Sequence, residues 1–116
     1  MTELNSLQPF VFTPPENPPH YVRILAADQT VAMKSGMVTL SPGQSVGEHS
    51  TERHEEQLVI LEGSGVVVAD GMGEQEVSAG QFVYIPPETR HNVIAASDSL
   101  LRYVFIVCRV PTGSAP

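Results

Sequence analysis

The chain has 116 residues, with 6 Lys+Arg against 13 Asp+Glu and a formal net charge of −7. That length supports one domain with one modest core, and 41% hydrophobic against 16% charged residues is too apolar a balance for a disordered tail. There is no basic patch to attract nucleic acid or an anionic membrane surface, and the longest apolar run, Tyr103 to Cys108, has six residues where a membrane helix needs roughly 18 or more.

In chain order, residues 1–20 carry Pro9, Pro14, Pro15, Pro18 and Pro19, which disfavour a helix and remove ladder donors, so an extended N-terminal arm is expected. The domain proper is expected over 21–110, with a frayed tail at 111–116. Within it, short strand signals alternate with turn residues. Gly36–Leu40 precedes Ser41-Pro42-Gly43, Glu56–Leu61 precedes Glu62-Gly63-Ser64-Gly65, and Val66–Ala69 precedes the hairpin signal Asp70-Gly71. Phe82–Ile85 ends at Pro86-Pro87, His91–Ala96 ends at Ser97-Asp98, and Leu100–Val110 is the longest run, rich in β-branched and aromatic residues. No window shows a helical apolar stripe, and this pattern predicts an all-β sandwich or barrel.

Val66–Val68 and Val104–Val107 are apolar on both faces, so the face turned away from the interior must be covered by a second sheet, the arm or another subunit. A homodimer is the expectation. Cys108 is the single cysteine, so no internal disulfide forms, and it reads as a small buried hydrophobe. The first residues include Glu3 and lack a basic stretch followed by an apolar one, so a cytoplasmic setting is expected.

Four histidines occur, and His20, after two prolines, reads as a surface residue. A strand is expected to carry His49, and a polar connection containing His54 leads to a strand beginning near Glu56. In that strand Glu56, Leu58 and Ile60 share one face. An acidic side chain on an apolar face is costly without a partner, and imidazole and carboxylate on neighbouring strands can converge on one ion. His91 likewise follows a strand and a proline turn and opens another apolar strand.

These two segments resemble the paired motifs of the cupin superfamily. Gly43, His49, Glu56 and Gly63 fall on the spacing of the first motif, and Gly80, Pro86 and His91 on that of the second. The resemblance covers roughly residues 36–110. It implies a small single-domain cupin, an all-β double-stranded β-helix (a jelly-roll barrel) with a divalent metal ion inside, whether Fe, Mn, Ni or Zn. It implies His49, Glu56 and His91 as metal ligands. Three positions depart from the pattern: Thr51 stands where the second histidine of the first motif belongs, Glu88 replaces a glycine, and Ala95 replaces an asparagine. His54, two positions before Glu56, shares its face if the strand extends that far back. It is then a replacement ligand for the one Thr51 removes, the other reading being a solvated connection residue.

A metal-binding cupin acting on a small organic molecule is the first functional reading, with dioxygenase-like and isomerase-like reactions both found among cupins. A non-catalytic barrel that binds or senses a small ligand is the alternative.

Overall fold

The computed structural model describes residues 7–111. The first six residues of the expected arm and nearly all of the expected tail lie outside the described residues. Residues 7–20 form no helix or strand. The arm ends at His20, whose Nδ1 lies 3.0 Å from the Thr39 carbonyl while its own carbonyl accepts from the Thr39 amide at 2.9 Å.

Eight strands follow: β1 (Tyr21–Leu25), β2 (Met33–Leu40), β3 (His49–Ser50), β4 (His54–Ala69), β5 (Gly73–Ser78), β6 (Phe82–Ile85), β7 (Arg90–Ala95) and β8 (Leu101–Arg109). A short 3-10 helix, Ala27–Gln29, connects β1 to β2. The hydrogen-bonded order is β1-β2-β8-β4-β7-β3, and β5 and β6 also pair with β4. All pairings of named strands are antiparallel. The result is a curled all-β barrel with β4 as its spine. The first part of β4 pairs with β8 and β6, and the second part with β7 and β5.

The sequence predicts a break at Glu62-Gly63-Ser64-Gly65, but the strand runs through it. Its register against β8 shifts between Ile60 and Glu62, and Gly63 adopts a φ of +82°. A Cβ on Gly63 would lie 1.7 Å from the Leu100 carbonyl oxygen. The glycine therefore serves a bend and a close backbone approach rather than a chain reversal. The reversal comes at Asp70-Gly71, where the hairpin to β5 forms as expected.

The inward face of β2, β8 and β4 is built in rows. Val38, Tyr103 and Ile60 share one row, and Gly36, Phe105 and Leu58 the next. Then come Lys34, Val107 and Glu56, and last Arg109 opposite His54. Leu40, Leu58, Ile60, Val67, Ile85, Val93 and Leu101 are fully buried. Each contributes about 1.5–3 kcal/mol relative to an exposed side chain. The outward faces are covered less. Val66, Val68, Val104 and Ile106 are half-buried, and so is Cys108, which lies on that side of β8 rather than in the core. No helix among the described residues is long and apolar enough to cross a membrane.

Candidate metal centre

Three strands deliver the polar cluster. The short strand β3 pairs with β7 so that His49 stands opposite His91, and His91 in turn stands opposite Ala69 of β4. Glu56 comes from the other half of β4, across the bend. The ligand atoms of His49, Glu56 and His91 lie within 4.8 Å of one another. The two imidazole centroids are 4.2 Å apart, and His91 Nε2 is 3.2 Å from Glu56 Oε1. His91 is buried, Glu56 intermediate and His49 exposed.

The donor chemistry fits a divalent cation. His49 Nδ1 lies 2.8 Å from the Gly47 carbonyl and His91 Nδ1 lies 3.0 Å from the Thr89 carbonyl. A carbonyl only accepts, so each Nδ1 carries the proton. In the neutral ring that leaves the Nε2 lone pair free for an ion, and backbone contacts of this kind orient ligating histidines. Burial lowers the His91 pKa, but the Glu56 carboxylate and the Thr89 carbonyl together outweigh burial, and the net shift is upward. Burial first, and then the Glu56 charge, push the Tyr103 phenol above its ordinary value.

Thr51 occupies the motif position of the second histidine but faces other work. Its hydroxyl donates to the Pro86 carbonyl at 2.7 Å and accepts from the Thr89 amide at 3.0 Å, and the residue is buried. It ties the β3–β4 connection to the turn before β7. Beside it, Glu52 and Glu88 both take a φ of 53°, and the Glu88 amide donates to the Glu52 carbonyl at 2.8 Å. Glu88 holds the left-handed conformation that suits the glycine it replaces.

The cupin domain family profile matches residues 36–107. The chain belongs to the cupin family. Over 70 residues, this cupin is 36% identical to the dimethylsulfoniopropionate lyase DddW of Ruegeria pomeroyi, a match that takes in 59% of this chain and 43% of that protein. The chain thus spans less than half the length of that curated relative. Among solved structures, a cupin protein from Bacteroides fragilis superposes with a TM-score of 0.72 at 24% identity, covering 96% of this chain and 91% of that one. A Bacillus halodurans protein gives a TM-score of 0.76 at 18% identity, covering 100% and 92%. At these identities the structural likenesses establish the fold.

In this cupin, His54 does begin β4, so it shares the face of Glu56. It lines the same cavity, of about 280 Å³, as His49 and Glu56, but it is not among the donors gathered within 4.8 Å. Sequence reasoning did not single out Lys34, Phe105 or Val107, which line that cavity too. Phe105 stacks on Tyr21 with centroids 6.0 Å apart, over Gly36, where a Cβ would lie 2.8 Å from the Phe105 ring. Period-two alternation in β8 places Phe105 and Val107 inward once Tyr103 is inward. Nothing local in the sequence says which face of β8 is the inner one.

Proposed function

We propose that this cupin holds a divalent metal ion through His49, Glu56 and His91, with His54 on the rim of the same cavity, and acts on a small organic molecule there. The convergence of two imidazoles and one carboxylate, with both Nδ1 atoms committed to backbone carbonyls, carries the reading. Two histidines and a carboxylate leave coordination positions open, and an ion so held supplies Lewis-acid polarisation of a bound oxygen or a redox centre. The protein's own residues orient the donors, and Phe105 and Val107 give the cavity an apolar wall. The relative named as a dimethylsulfoniopropionate lyase favours bond cleavage in a small organic molecule over a dioxygenase-like reaction. Elemental analysis of untagged protein tests the reading. A stoichiometric first-row metal in wild-type chain, absent in His49→Ala, is the expected result, and metal-free wild-type protein that cannot be reloaded overturns it.

Assembly as a homodimer is part of the proposal. Outward-facing Leu61, Phe82 and Tyr84 are 48%, 66% and 58% exposed. They continue the half-buried row of Val59 and Val104 on one sheet face. A second copy would cover that face. Light scattering at micromolar concentration should give a dimer, reduced to a monomer by Phe82→Glu.

A further inference from the structure

A second cavity of about 280 Å³ adjoins the first, lined by Val31, Ala32, Met33, Lys34, His54 and Arg109. Lys34 and His54 line both cavities. The second combines a lysine, an arginine and an imidazole with apolar side chains, and no acidic residue lines it. That lining stands out on a chain with a net charge of −7 and only 6 Lys+Arg. Among the described residues the ion pairs are Arg90 with Glu48, His91 with Glu56 and Arg102 with Glu62. The Lys34 and Arg109 side chains enter none of them.

The cavity's walls are held independently of any ligand. Thr30 Oγ1 donates to the Met33 carbonyl and accepts from the Met33 amide, both at 2.8 Å. The Ala26 amide donates to Gln29 Oε1 at 2.8 Å, and the Arg109 amide donates to the Ala32 carbonyl at 3.2 Å. Register then sets the distance to the metal centre. Lys34 and Glu56 flank the same residue, Val107, on the inward face, two strand spacings or about 10 Å apart. Arg109 stands opposite His54 one row further out.

We infer that this cavity binds the carboxylate of a small organic acid, with Lys34 and Arg109 as its anion-binding residues, and presents the rest of the molecule to the donors at Glu56, His49 and His91. An acidic protein repels a free anion through its overall field, so a local cationic lining is what lets one enter. The planar guanidinium of Arg109 suits bidentate contact with a carboxylate, and Lys34 adds a point charge. Val31, Ala32 and Met33 take a short apolar stem. The substrate class is therefore a small carboxylic acid with a second donor group a few bonds from the carboxylate. That second half of the inference rests on the metal-site reading, while the carboxylate site stands without it.

The test is an amide-resolved NMR titration of the full chain, metal-free and zinc-loaded, with n-butyrate, its neutral isostere butyramide, and methyl phosphate. Butyrate should shift the amides of Ala32, Met33, Lys34 and Arg109 saturably, and butyramide should bind at least about tenfold more weakly, as expected when a charge-assisted contact is lost. Lys34→Gln/Arg109→Gln should lose butyrate binding by at least about tenfold while retaining wild-type spectral dispersion and zinc stoichiometry. Equal binding of butyrate by wild type and the double variant overturns the inference, as does equal binding of butyramide. Tighter binding of methyl phosphate than butyrate reassigns the cavity to phosphate and also overturns it. His49→Ala should lose zinc and keep butyrate. Wild-type protein that binds butyrate but takes up no metal would overturn the metal reading alone.

Discussion

At one end of the barrel's inward face, Leu40 pairs with Leu101, and Val38, Tyr103 and Ile60 form the next row, all buried. At the other end, on the same three strands, the rows are Lys34, Val107 and Glu56, then Arg109 and His54. The apolar end is held by burial, which is non-directional and needs only volume and shape. The polar end is held by individual partners: Glu56 has His91, and the rings of His49 and His91 have carbonyls. A small barrel can carry costly polar groups inside because the apolar rows a few residues away supply the stability. Changes at the two ends should therefore separate stability from ligand binding.

The largest effect is expected at the apolar end. Leu101→Ala should destabilise the fold by about 2–5 kcal/mol, read by urea denaturation, with metal stoichiometry unchanged wherever the variant is still folded. Lost metal in folded Leu101→Ala would show that the ends are coupled.

At the polar end, His49→Ala should lower metal affinity by at least about 10–100-fold, the loss typical even of groups behind the ligands. Metal-free stability should change by about 1 kcal/mol or less, because His49 is exposed. His54→Ala should cost less affinity than His49→Ala, since its ring stands outside the donor group. Competition with a chromogenic chelator measures both, and equal losses would place His54 on the ion.

The pH response should be smaller and opposite in sign for the two states. In the metal-free protein the His91 pKa is raised above its ordinary value of 6.5. The stabilisation from its pair with Glu56 is thus fully present below about pH 6.5 and lost as pH rises through the raised pKa. Metal must displace that proton, so metal affinity should rise over the same interval. Thermal melts and chelator competition across that range check both directions. The smallest effect is expected at the strained turn, where Glu88→Gly should stabilise by about 0.5–1 kcal/mol by relieving the left-handed conformation without changing metal affinity. Destabilisation would show that the Glu88 side chain supports the turn.

The placement of Glu56 was legible in the sequence because its informative distances are local. Glu56, Leu58 and Ile60 share a face through strand alternation alone. The resemblance to the cupin motifs marks out His49 and His91, which stand at the starts of β3 and β7. The role of Thr51 was not legible, since the groups that engage its hydroxyl, on Pro86 and Thr89, lie 35 and 38 positions away. Nor was the continuity of β4, because a Gly-rich stretch reads alike as a turn or as a bend under a crowding backbone, and the Leu100 carbonyl that decides the matter belongs to another part of the chain.

The sequence by itself determined the strand class, the alternation within each strand, and the spacing of His49, Glu56 and His91. The first two follow from backbone geometry over a few residues, and the third stands out only through the resemblance to the cupin motifs. Only the tertiary structure decided which face of β2 and β8 is inward, and so that Lys34 and Arg109 border the centre. That choice depends on the register between Lys34, Val107 and Glu56, strands more than twenty positions apart in the chain. Shifting one strand by a single residue would turn every side chain it carries to the opposite face.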